Sequence, residues 1–280
     1  MGGQRCNWKH ENLLPIVIPR FRDSAGNPKR SQKVPQSTKR VWPIINKKTG
    51  MSSSTADQVS GKPRPTVEFL CVLDFEATCE EDPTPQPSPQ EIIEFPSLLF
   101  RKALNEEGEP EYRLVDAFEA FVRPVIHPKL SDFCKALTTI TQEQVDAADP
   151  FPTVLERHVK WLTDHGSFDE NASFYFVTCG DWDFRTMLPM QMKASRISYK
   201  AIPRNYTRWI NIKRVFDDST GKKSRGMASM LKQLGIVLTG THHRGIDDCR
   251  NIAKIVHALQ ERYESDFSKP TGGHHPKADG

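Results

Sequence analysis

The sequence predicts an α/β domain in which helices cover a mixed central sheet. Three observations carry the prediction: apolar strand-like runs come first, helical periodicities alternate with strands afterwards, and no internal repeat interrupts the order. "TVEFLCVLDFE" is near-continuously apolar, as a strand buried on both faces requires. "EDPTPQPSPQ" carries four prolines and is a loop. "EIIEFPSLLF" is a second strand, whose internal proline predicts an edge or irregular position. "YRLVDAFEAFVRP" is a third, and three strands in succession suggest an antiparallel meander.

The period then changes. "TQEQVDAA" reads as a helix capped by Thr141, and "PTVLERHVKWLTDHG" sets Val154, His158, Trp161 and Leu162 along one helical face before stopping at Gly166. His158 is read there as a packed helix residue, not a ligand. "SFYFVTCG" is another buried strand, and "DWDFRTMLPMQMK" a helix bent or broken at Pro189. "WINIKRVF" is short and strand-like, "DDSTGKKSRG" a charged loop, and "MASMLKQLGI" a short helix ending near Gly235. "RGIDDCRNIAKIVHALQER" closes the set, with Ile246, Cys249, Ile252, Ala253, Val256 and Leu259 at helical spacing.

Composition divides the 280 residues in three: a basic, mostly disordered arm over 1–65, a domain over 66–265, and a disordered tail over 266–280. The arm holds 13 Lys/Arg against 3 Asp/Glu, with apolar islands at Leu13–Ile18 and Val41–Ile45; the rest holds 26 against 32. An arm of net +10 ahead of a body of net −6 suits attraction to an anionic polymer or surface. No run approaches the ~20 apolar residues of a membrane span, so no membrane partner is expected. Six cysteines without a C-x-x-C pair argue against a zinc ribbon or a disulfide scaffold. With no secretory signal, the expectation is an intracellular protein of cytoplasm or nucleus; the arm could equally be an organelle-targeting segment.

The chemistry is carried by acids placed where strands end. Asp74 and Glu76 lie two apart in an extended chain and share a side. Asp181 and Asp183 flank Trp182 where a strand gives way to a helix; Asp183, starting the helix, is the expected member, and Asp181 a capping residue. Asp248 is four residues before Ile252 and shares the inward face of the last helix, while Asp247 lies nearer the outside. His243 and His242 both sit within reach, and spacing leaves the two as alternatives. Four oxygen donors, Asp74, Glu76, Asp183 and Asp248, suit Mg²⁺ or Mn²⁺ better than zinc. Two such ions can activate a water against a phosphodiester, and a histidine near neutral pKa can take its proton. Trp182 and Phe75 are read as core residues, and Cys71, Cys134 and Cys179 as packing residues.

"DFEAT", "GDWDF" and "H-x-G-x-D-D" opening a helix resemble the three motifs of the DEDDh 3′→5′ exonuclease superfamily. "PQEIIEFPSLL", "FVRPVIHPKLSDFCKALTTIT", "RWINIK" and "HRGIDDCRNIAKI" are similar to one branch, that of the enhanced-RNA-interference, 3′ histone mRNA and prion-protein-interacting exonucleases. The resemblance spans roughly residues 66–262 and implies an RNase-H-like fold that releases nucleoside 5′-monophosphates from RNA 3′ ends. It implies two Mg²⁺ ions on Asp74, Glu76, Asp183 and Asp248, with His243 as general base, and RNA as partner beside possible RNA-processing proteins. Phe75, Ala77, Thr78 and Leu137 would lie against the terminal nucleotide. Thr139 replaces the glycine of the branch's Leu-Thr-Gly-Ile-Thr, and its Cβ is expected to narrow that pocket.

Overall fold

The structure is a computed structural model that describes residues 67–273; the arm, its two apolar islands and Cys6 lie outside the described residues. Strands β1 (Val67–Leu73), β2 (Glu76–Ala77), β3 (Ile92–Leu104), β4 (Pro110–Phe121), β5 (Ala172–Thr178), β6 (Arg208–Asn211) and β7 (Gly272–Gly273) build one sheet. β1 lies antiparallel to β3 and parallel to β5, and β5 is parallel to β6, so the sheet is mixed. β3 lies between β1 and β4, antiparallel to both, as the expected meander requires. β2 continues the line of β1 after a break at Asp74 and Phe75: Leu73 pairs with Ser97 and Glu76 with Glu94.

Alternation along β1 sends Phe69, Cys71 and Leu73 into one apolar cluster and Leu70 and Val72 into another. The first cluster is completed by α3 (Phe151–Asp164) and α4 (Leu188–Ala194) through Val154, Leu155, Leu162 and Leu188. The second is completed by α5 (Ile212–Thr220), α6 (Met227–Leu234) and α7 (Gly245–Tyr263) through Phe216, Met230, Ile252 and Leu259. Helices therefore cover both faces, and the near-continuous apolar run of β1 follows from that double burial. His158 is fully buried, with Nδ1 at 2.6 Å from the Tyr206 hydroxyl and Nε2 at 2.9 Å from Ser97 Oγ. Burial lowers its pKa to about 3 and keeps it neutral.

Several expectations are corrected. The proline strand β3 is not an edge, being paired on both sides; of the two expected placements Pro96 takes the irregular one, opposite the break at Asp74 and Phe75. "WINIKRVF" is strand only through Asn211, whose side chain accepts from Lys213 N at 3.1 Å and starts α5. "DFCKALT" forms an unforeseen helix, α1 (Asp132–Thr138), capped by Ser131, ahead of the expected α2 (Gln142–Asp146) with its Thr141 cap. The segment after 266, expected to be a loose tail, packs through Gly273: Phe267 is buried and Thr271 bonds to both Trp209 and Asn211.

Candidate active site

The end of β1 and the start of α7 meet at one cavity of roughly 310 Å³. Oxygens of Asp74, Glu76 and Asp248 lie there within 4.8 Å of one another. Asp183 is buried and lies outside both that trio and the cavity lining. It opens a wide π-helical turn, Asp183–Met187, that leads into α4, and its Oδ1 accepts from Phe75 N at 2.9 Å. The second acidic segment is thereby bonded to the backbone of the first. Asp181 turns elsewhere, accepting from Trp209 Nε1 at 2.9 Å and Arg214 Nη2 at 2.6 Å, a structural anchor. Asp247 likewise accepts from Thr241 N and Arg250.

Crowded burial sets the electrostatics. Burial first, then the charges of Asp183 and Asp248, raise Asp74 well above the carboxylate range. Burial, followed by Asp74 and Glu94, pushes Glu76 up to about 10. Burial raises Asp183 and Asp248 each to about 6. Lys213 is the cation whose charge opposes the rise at Asp74. Acids this close resist sharing one site unless protons or cations lie among them. Asp248 offers an open position: its Oδ2 accepts from His243 N at 2.9 Å, while Oδ1 is buried without a hydrogen-bond partner. The oxygens of Asp74, Glu76 and Asp248, one of them orphaned and buried, fit a hard divalent cation, and His242 and His243 also come within ligating reach of Asp248.

His243 and His242 both line the cavity, their rings 4.0 Å apart and stacked. His243 holds a left-handed backbone, φ 67°, which turns the chain from the loop into α7. Burial, then His242, lowers its pKa, so its imidazole is neutral near pH 7. Gly245 follows where the chain passes close to the end of β1 and to β3: a Cβ there would stand 2.8 Å from both the Asp74 carbonyl oxygen and Pro96 Cγ.

Phe75, Ala77 and Leu137 line the cavity. Thr78 does not; it is buried, its hydroxyl accepts from Glu91 N at 3.0 Å, and it borders an adjoining cavity beside His127 and Ser131. Thr139 is exposed and outside the lining, so its Cβ does not narrow the pocket. It is the C-cap of α1 with φ 60°, which is what a glycine there would serve. Trp182 corrects the core reading, being 40% exposed on the cavity wall. Cys179 also reaches the wall, whereas Cys71 and Cys134 are buried. Gln90 and Met227 line the cavity without any sequence signal that marks them. Glu94 of β3, a fifth buried acid next to these groups, was likewise unforeseen; burial raises it to about 7 against the pull of Arg244.

Comparison with known proteins identifies the family. The exonuclease family model matches residues 71–256. The human ERI1 exoribonuclease 3 is 40% identical over 216 residues, covering 76% of this chain and 59% of that protein. The human 3′-5′ exoribonuclease 1 is 38% identical over 202 residues, covering 70% and 54%. This chain therefore spans less than two thirds of the length of these relatives. Among solved structures, the nuclease domain of 3′hExo, a DEDDh family member bound to rAMP, superposes with a TM-score of 0.62 at 36% identity, covering 76% of this chain and all of that one. A 3′-exonuclease solved in 3′-end recognition of a histone mRNA stem-loop gives 0.61 at 35%, covering 74% and 87%. The sheet, its flanking helices and these matches place the domain in the RNase-H-like DEDDh fold, and the chain belongs to the exonuclease family.

Proposed function

We propose that this protein is a divalent-metal-dependent 3′→5′ exoribonuclease that releases nucleoside 5′-monophosphates from RNA ends. The convergence of Asp74, Glu76 and Asp248 oxygens within 4.8 Å, beside His243 in one cavity, carries the proposal. RNA is favoured over DNA by the relatives' names and by the rAMP bound to the similar nuclease domain.

Asp74, Glu76, Asp183 and Asp248 would hold two Mg²⁺ ions, with Mn²⁺ as a substitute. Bound there, the ions supply charge neutralisation at the phosphodiester and a more acidic water. His243, neutral at working pH, accepts the attacking water's proton on an imidazole nitrogen. The water oxygen bonds to phosphorus, the bond from phosphorus to the 3′ oxygen of the penultimate nucleotide breaks, and the electron pair leaves with that oxygen. Phe75, Ala77 and Leu137 wall the space for the terminal nucleoside, and the exposed face of Trp182 offers a base a stacking surface. The Asp183–Phe75 hydrogen bond fixes that wall relative to the acids.

The test compares 3′-labelled single-stranded RNA, single-stranded DNA and duplexes with 3′ overhangs, in Mg²⁺ and in EDTA. Release of the label as a mononucleotide from RNA in Mg²⁺ alone is expected. Cleavage of neither polymer would sink the enzymatic reading; faster turnover of DNA would move the substrate to DNA.

A further inference from the structure

Glu94 belongs to none of the motifs, yet it joins two of them. It lies fully buried on β3, directly across from Glu76. Its Oε2 accepts from Gly245 N at 3.0 Å and its Oε1 from Ile246 N at 3.4 Å. These are the first N–H groups of α7, which a helix cannot satisfy internally. α7 has no cap of its own, because Arg244 occupies the position where a short polar side chain would normally serve. Arg244 instead reaches back: Nη1 stands 3.5 Å from the Glu94 carboxylate, and Nη2 donates to Glu119 of β4 at 2.7 Å. Its guanidinium also sits 4.6 Å from the centroid of the Phe121 ring.

The consequence is geometric. The strand that pairs with Glu76 also sets where α7 begins, and α7 carries Asp248 one turn on. His243, immediately before the clamp, donates its N–H to Asp248. A slip at the start of α7 would therefore move both groups relative to Asp74 and Glu76.

We propose that Glu94, braced by Arg244 and Glu119, is a positioning residue for hydrolysis. By capping α7 from β3, it sets the spacing between the Asp74–Glu76 pair and the Asp248–His243 pair. With both oxygens engaged by α7 and Arg244, it acts through the helix and touches no substrate. This inference rests on the hydrolytic reading above.

The experiment measures kcat and KM of the full chain on 3′-labelled RNA across a Mg²⁺ titration, with folded fraction followed by circular dichroism. Glu94→Ala is expected to lower kcat at least 30-fold and to raise the half-saturating Mg²⁺ concentration several-fold, with KM for RNA within twofold. Glu94→Gln keeps the shape and one acceptor, and should recover most of that loss. Glu119→Gln, at the outer end of the clamp, should raise the half-saturating Mg²⁺ concentration two- to fivefold. If Glu94→Ala does not fold, Glu119→Gln decides: a raised half-saturating Mg²⁺ concentration supports the proposal, and an unchanged one overturns it. A purely structural role predicts fewer folded molecules, each with unchanged kcat and unchanged Mg²⁺ dependence, and that result overturns the proposal. An inert wild type would overturn the hydrolytic reading and this proposal together; an active wild type with unchanged variants overturns this proposal alone.

Discussion

Asp74 and Glu76 are buried acids that resist ionising together, and the effect is measurable. Folded, Glu76 holds its proton to about pH 10; unfolded, it releases it near 4.5. Between those values the folded state binds more protons, so stability falls as pH rises, by up to about 1.4 kcal/mol per pH unit for one fully shifted carboxylate. His158 works in the opposite direction below its ordinary value of 6.5, being neutral in the fold down to about pH 3. The clean window is therefore pH 6.5 to 8. Thermal melting in EDTA should show the midpoint dropping across that window, and the drop should flatten on adding Mg²⁺ and in Glu76→Gln. A flat curve for the wild type in EDTA would contradict the raised acids. Turnover is expected to follow the opposite preference: Asp74→Asn and Asp248→Asn should each lower kcat by at least about 10³-fold, a loss of about 4 kcal/mol in transition-state stabilisation, while melting in EDTA stays level or improves. These acids were legible because a period of two in a strand and four in a helix places them without reference to distant contacts. Trp182 and Glu94 were not. An aromatic beside an acid looks the same whether it faces a core or a cavity, and the worth of Glu94 lies in N–H groups 151 residues away.

Local grammar explains what the elements did against expectation. Pro96 sits in a strand with neighbours on both sides, where a missing N–H should break a ladder. The Ile93 carbonyl faces Val122 N at 2.9 Å, so alternation turns the Pro96 nitrogen the other way, toward the gap between Leu73 and Glu76. No strand asks for a donor there. That gap is also where Asp74 leaves the sheet, so the proline marks the site from the opposite strand. Gly245 packs against the same gap, and Gly245→Ala should cost about 1–3 kcal/mol of stability by overpacking, read as a lower urea midpoint with activity lost alongside. At the end of α1, Thr139 takes a left-handed conformation that costs a non-glycine residue about 1–2 kcal/mol. Thr139→Gly should therefore stabilise by about 0.5–1 kcal/mol after the greater chain entropy of glycine is subtracted. KM should stay unchanged, since Thr139 is not on the cavity wall. Strand-to-helix conversion at Asn211 was hidden because "WINIK" satisfies both periods; the cap bond to Lys213 N decides it.

Charge is distributed so that the body of the chain alone is a poor magnet for a polyanion such as RNA. Residues 66–280 are net acidic, and the cavity concentrates buried carboxylates, so a phosphate chain gains little from the body before cations bind. The arm over 1–65, net +10 by sequence, is the part of the chain that can supply sequence-independent attraction. Each phosphate it neutralises on a single strand should steepen the fall of log affinity with log salt by about 0.7. Deleting residues 1–60 is thus expected to flatten the salt slope by about 2 or more, to raise KM at low salt, and to leave kcat at saturating RNA within twofold. Among the described residues, the acids and histidines of the cavity come from positions 74–248, and on that footing the arm is expected to add encounter and residence without altering hydrolysis. Fluorescence anisotropy on labelled single-stranded RNA across a salt series reads the slope. An identical slope with and without the arm would reject its role in binding RNA, and a fall in kcat at saturation would mean that it reaches the cavity itself.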